Sequence, residues 1–238
     1  MVTKIGCTDG SAGRPIISRG IIFSASNPRV AMIISRTTFR LKFGQATPAI
    51  ALWKEIMDTA RDNPNARPMR LMSDLSGTNY TLVGDVHLRG FTDLGQTTHV
   101  WMTHERIREL YPRFAALCES ATSQLYHVEQ QTGPAVEPGH IVEQMSFHLR
   151  FGQARPACAI WKRILESNKS GHYPMRLFTD ITGPSYMLFI DMSYRSMLEY
   201  GPHQHYWLTN ETMKEAYQEF IPLCDHSERT LYTMLHMV

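Results

Sequence analysis

One stretch of this chain occurs twice. Residues Phe39–Ile56 return as Phe147–Ile164, with the same residue at 12 of 18 positions. Such self-similarity constrains the fold more than any other sequence feature. The match continues beyond it: Pro68–Leu71 answers to Pro174–Leu177, Asp74 to Asp180, Gly77 to Gly183, Asp85 to Asp191, Trp101 to Trp207 and Cys118 to Cys224. The chain is a tandem duplication, with repeat 1 over 34–130 and repeat 2 over 142–238. Residues 1–33 form a leader and arm, with a hairpin expected over Ile16–Ile34. Residues 131–141, with Gly133, Pro134, Pro138 and Gly139, form a linker.

Within each repeat the first strand alternates. Phe39, Leu41 and Phe43 face one way, Arg40 and Lys42 the other; Phe147, Leu149 and Phe151 oppose His148 and Arg150. A helix follows, with Ala49, Leu52, Trp53, Ile56 and Ala60 spaced by three and four. A hairpin over Met69–His87 turns at Gly77. A short helical piece, a long helix carrying Ile107, Leu110, Tyr111, Phe114 and Leu117, and a last strand over Ser123–Glu129 complete the unit. Repeat 2 follows the same order, ending in a strand over Arg229–Met237. The class is α+β: two ferredoxin-like β-α-β-β-α-β units. Each sheet has helices on one face only, so the two are expected to pack sheet to sheet around a shared interior.

Composition excludes several functions. Formal net charge is +2 with no Lys/Arg block, which argues against nucleic acid and anionic membranes as partners. No apolar run is long enough for a membrane helix, and the first residues lack a signal-peptide core. The four cysteines, Cys7, Cys118, Cys158 and Cys224, form no Cys-x-x-Cys pair and read as thiols in a reducing compartment, the cytoplasm.

The order of elements, with Ser196–Tyr200, Trp207–Asn210, Glu215–Phe220 and Glu228–Tyr232, resembles the dimeric α/β-barrel superfamily in a fused version, nearest its NIPSNAP-like members. That resemblance implies an intramolecular barrel. The superfamily includes cofactor-free monooxygenases, polyketide cyclases, isomerases, dehydratases, haem enzymes and ligand-binding domains. The expected function is a cofactor-independent acid/base enzyme of cyclase or dehydratase type. It would close a ring by aldol or conjugate addition on a polyketide-like or other hydrophobic oxygenated small molecule. The alternatives are a cofactor-free or haem-dependent monooxygenase and a non-catalytic ligand-binding module. Either a monomer or a homodimer is consistent with a chain that completes its own barrel.

Residues expected in the interior carry the proposed chemistry. His148 would move a proton, Arg40 would hold an enolate-like oxygen, and Asp74 or Asp180 would orient a partner. Lys42, Arg150, Arg70, Arg176, Met72 and Phe178 would bind substrate. A structural reading stands beside this one: Arg70 and Arg176 pair with carboxylates on neighbouring strands, Gln45 and Gln153 satisfy backbone groups, and Asp85 and Asp191 serve as caps or site carboxylates. Positions that differ between copies, Arg40/His148, Thr81/Met187 and His127/Thr233, would make the interior asymmetric. His99, His203 and His205 lack metal-site spacing, so no metal is expected, and no cofactor. Were haem bound, His148, His127 and His236 would be the ligand candidates.

Overall fold

The computed structural model describes residues 32–167 and 173–238. All but the last two residues of the expected leader and arm lie outside them. Repeat 1 contains β1 (Ile33–Leu41), α1 (Ala46–Arg61), β2 (Met69–Asp74), β3 (Thr81–Leu88), α2 (Phe91–Thr103), α3 (Glu105–Ala115) and β4 (Cys118–Thr132). Repeat 2 contains β5 (Ile141–Leu149), α4 (Ala154–Ser167), β6 (Met175–Asp180), β7 (Met187–Tyr194), α5 (Met197–Thr209), α6 (Glu211–Phe220), a 3-10 turn at Ile221–Leu223 and β8 (Cys224–Met237).

The strands form a closed barrel in the order β1-β3-β2-β8-β5-β7-β6-β4. Every neighbouring pair is antiparallel. Each ferredoxin-like sheet is thus half of the barrel, joined to the other along two seams, β2–β8 and β4–β6. Closure removes the free edges that would otherwise template aggregation. The final strands are longer than their sequence pattern suggests because each serves both halves. β4 pairs with β1 as far as His127 and with β6 from Tyr126 to Thr132.

Alternation along the strands sorts side chains into a helix-facing layer and a barrel interior. On the helix side Phe39, Trp53 and Phe114 pack with ring centroids 4.6 to 4.9 Å apart. Phe147, Trp161 and Phe220 repeat the arrangement at 4.8 to 5.7 Å. Each such aromatic pair contributes about 0.5–1.5 kcal/mol beyond its buried area.

Three expectations need correction. β1 and β5 end at Leu41 and Leu149, so Phe43 and Phe151 leave the sheet; they are 85% and 86% exposed and lie against Tyr80 and Tyr186. The expected short helical piece is a 13-residue helix, α2. The first two linker residues, Gln131 and Thr132, belong to β4.

Candidate functional site

The barrel interior is closed at its middle by a charge cluster. Arg70 and Asp85 face each other across β2 and β3, as do Arg176 and Asp191 across β6 and β7. Arg70 Nη2 donates to Asp85 Oδ2 at 2.8 Å, and Arg176 Nη2 donates to Asp191 Oδ2. A third guanidinium, Arg36 on β1, donates to both oxygens of Asp85 at 2.7 and 2.9 Å and to Asp191 Oδ2 at 3.1 Å. Its counterpart in repeat 2 is Gln144, which donates to Asp191 Oδ1 at 3.2 Å. Burial alone would raise the Asp85 carboxyl, but Arg36 and then Arg70 hold it well below the usual carboxylate range. Met72, Val83, Val142, Tyr232 and Met234 pack as one apolar group, and Ile34, Tyr126, Phe178, Met187 and Phe189 as another. Met72 and Phe178 are fully buried members of these groups.

A sizeable void lies elsewhere, between the repeat 1 sheet and its own helices. It measures about 630 Å³, within the range of about 300–1,000 Å³ usual for small-molecule sites. Ser35, Thr37 and Phe39 of β1 and Gly84 of β3 form its floor, and Trp53, Met57, Leu94, Trp101 and Met102 its walls. Arg108 and Tyr111 of α3 lie along its exposed edge. Trp53 and Trp101 stack at 5.5 Å with 28° between their planes. The floor's polar groups are modest: Thr37 Oγ1 and Ser123 Oγ share a hydrogen bond of 2.8 Å. The start of α2, which roofs the void, is held by Asp93; its carboxylate accepts from Arg67 at 2.8 Å and from Arg89 Nε and backbone N–H at 2.9 Å. Those hydrogen bonds keep the Asp93 carboxyl far below the usual range.

Among the described residues, larger side chains stand at most of the equivalent positions in repeat 2. Ser35 answers to Glu143, Thr37 to Met145, Gly84 to Ile190, Thr97 to His203, Thr98 to Gln204 and Ser123 to Arg229. Glu143 is fully buried and accepts from Tyr194 Oη at 2.8 Å, from Gln204 Nε2 at 3.0 Å and from Tyr200 Oη at 3.3 Å, with Arg229 Nε 3.2 Å away. Trp207 Nε1 donates to His203 Nε2 at 3.0 Å, so the ring's proton is on Nδ1, which donates to Tyr194 Oη at 2.9 Å. Burial pushes His203 down to about 4. The folded state therefore excludes a proton that the unfolded chain takes up near pH 6.5, so stability is complete above that pH and falls as pH drops toward 4. Roughly 3 kcal/mol is at stake from this residue. Thermal midpoints between pH 7 and 4 should fall less steeply in His203→Gln than in the wild type; parallel profiles would refute the assignment.

The structure brings three of the four proposed catalytic residues to one pocket and places most of the proposed substrate-binding residues elsewhere. Arg40, His148 and Asp180 line a polar pocket of about 410 Å³ at one end of the barrel, with Arg36, Thr81 and Met187. There His148 stacks on His226 at 3.8 Å, and Arg40 Nε is 3.7 Å from Glu119. Asp180 Oδ1 accepts from Met187 N–H at 2.8 Å, and Asp74 Oδ1 from Thr81 N–H at 2.8 Å; both close their hairpins. Lys42 does not point inward: it donates to the Ala116 carbonyl at 2.7 Å, while Arg150 pairs with Asp225 on the surface at 3.1 Å. Arg70 and Arg176 belong to the central cluster. His127 lies 3.3 Å from Glu129, and His236 3.0 Å from Asp58. His203 and His205 lie on α5, and among the described residues no three His, Cys, Asp or Glu side chains form a metal-sized group. Gln45 precedes α1 without making a side-chain cap. The cavity residues Ser35, Thr37, Gly84, Trp101, Arg108 and Tyr111 are absent from the sequence-derived site. The signal for several was present, as small residues in repeat 1 facing large ones in repeat 2, but on the helix-facing side of the strands.

No family model matches the chain, and no curated protein matches it in sequence. Solved structures do resemble it in shape. A proposed monooxygenase from Fusobacterium nucleatum superposes with a TM-score of 0.71 at 11% identity, covering 87% of this chain and 94% of that one. A proposed monooxygenase from Lactobacillus acidophilus gives 0.69 at 8%, covering 87% and 96%. An anthrone oxidase-like protein gives 0.68 at 10%, covering 89% and 94%. The eight-stranded barrel of two fused repeats and these likenesses agree: the chain has the dimeric α/β-barrel fold, with both half-barrels on one polypeptide.

Proposed function

We propose that the protein is an enzyme that takes a flat, largely apolar, oxygenated molecule of polyketide-like character into the repeat 1 cavity and acts on it without a cofactor. The observation that carries this reading is the void in repeat 1. Where repeat 2 has Glu143, Met145, Ile190, His203 and Arg229, repeat 1 has small residues, and these line a void beside two stacked tryptophans. An empty apolar cavity costs stability, so the small residues that keep it open in repeat 1 point to a ligand.

The lining limits the chemistry. Trp53 and Trp101 present aromatic faces, while Arg108 and Tyr111 at the edge offer a guanidinium and a phenol. Such a pair stabilises negative charge developing on a substrate oxygen as an adjacent carbon gives its proton to water at the cavity's open edge. The resulting enolate then eliminates water or closes a ring. Reaction of the same enolate with oxygen is the second reading, favoured by the neighbours described as proposed monooxygenases and as anthrone oxidase-like. Among the described residues no His or Cys lines the cavity; Tyr111, Met57, Met69 and Met102 are the side chains there of a type that ligates haem iron.

Anthrone, which enolises readily, is a suitable probe. The chain has four tryptophans, two of them in the cavity wall. Anthrone should quench their fluorescence saturably, and Arg108→Met with Tyr111→Phe should lower turnover by about 10²- to 10³-fold, the scale of a lost oxyanion donor. Oxygen uptake in step with anthrone loss supports oxygenation. Water loss or ring closure on a polyketide-like diketone supports the first reading. Ligands bound saturably but recovered unchanged would overturn the enzyme reading.

A further inference from the structure

The central cluster contains three guanidiniums and at most two negative charges. Arg70 with Asp85 and Arg176 with Asp191 are related by the duplication and balance each other. Arg36 is the addition, since repeat 2 has neutral Gln144 in its place. Buried charge is costly unless it is paired. Arg36 is 4% exposed, and its Nη1 is buried with no hydrogen-bond partner among the described residues. The same side chain lines the polar pocket at the barrel end. Hydroxyls and amides line much of the rest, among them Thr38, Thr81, Thr230, Gln124 and Gln144, beside apolar Phe39, Pro184, Met187 and Phe189. Arg40 adds a second cation to its lining. Of its two carboxylates, Asp180 is engaged by the Met187 N–H and Glu228 is exposed.

We infer that this barrel-end pocket is a second binding site, separate from the repeat 1 cavity, for a small hydroxylated molecule carrying a carboxylate or phosphate group. The anion meets Arg36, and the hydroxyls meet the Thr and Gln side chains. At about 410 Å³ the pocket has room for more than a bare ion.

Calorimetric titration of the full chain with gluconate, glycerol 3-phosphate, inorganic phosphate and, as the uncharged control, glucose tests this. At least one organic anion should bind with a millimolar or lower Kd, and glucose should give no heat. Arg36→Gln, which installs the residue found in repeat 2, should weaken that binding at least tenfold. Thr122→Glu, on the exposed lining of the pocket, should do the same by repulsion without touching the cluster. Binding by gluconate alone identifies a carboxylate ligand, and by glycerol 3-phosphate alone a phosphate one. Heat from no anion, or equal heat in both variants, overturns the site. Quenching by anthrone in the repeat 1 cavity reports separately on the proposed function.

Discussion

Thr37→Met combined with Gly84→Ile should abolish ligand uptake in repeat 1, lowering affinity at least 100-fold, while leaving the protein as stable as before or more so. These are the residues that repeat 2 carries at the same two positions, Met145 and Ile190, which face each other across β5 and β7 as Thr37 and Gly84 do across β1 and β3. A Cβ on Gly84 would meet the Trp53 ring at 3.4 Å, an ordinary contact, so the backbone tolerates it and the rest of the side chain enters the void. Burying an isoleucine contributes about 1.5–3 kcal/mol. Losing the Thr37–Ser123 hydrogen bond costs about 1 kcal/mol. Stability and function are therefore expected to part: the urea midpoint stays or rises, and anthrone no longer quenches tryptophan fluorescence. A double variant that still binds the probe with wild-type affinity would show that the void is not the site.

The second large effect concerns the barrel's middle. Asp85→Asn should cost about 3–5 kcal/mol, because it leaves Arg36 and Arg70 buried with Asp191 as their remaining shared carboxylate. Arg36→Gln should cost less, since the two symmetric pairs remain and the excess charge goes. The acid side of the stability profile changes with Asp85 as well. Its folded carboxyl titrates far below the unfolded value of about 3.9, so its contribution is complete above that pH and is lost as pH falls toward the folded value. Asp85→Asn should remove that part of the acid dependence. Denaturant melts of both variants at pH 7 and at about pH 2, below the unfolded carboxyl value, decide the matter. A loss under about 1 kcal/mol in Asp85→Asn would mean that the cluster does not hold the barrel together.

The residues themselves made much of the fold readable. The duplicated segment, the period-two strands at Phe39–Leu41 and Phe147–Leu149, and the helical stripe through Ala49, Trp53, Ile56 and Ala60 are local patterns that survive in the structure. The inward set Arg70, Met72, Arg176 and Phe178 follows from the same alternation. The pairing of Arg70 and Arg176 with neighbouring strands was also within reach, because buried guanidiniums require partners. Phe43 and Phe151 mark the limit: alternation extends the strand through them, but the strand ends where the backbone turns at Gly44 and Gly152, both with positive φ.

Sequence alone established two copies of one ferredoxin-like unit with helices on one sheet face, because hydrophobic periodicity and repetition are properties of neighbouring residues. Tertiary structure decided where the space is. Whether three arginines and two aspartates fill a barrel or line it depends on how two sheets curve around one axis. Whether Gly84 leaves a void depends on which ring lies over it. Those are contacts between residues tens of positions apart, and a strand's pattern reports which face a side chain takes but not what it meets there.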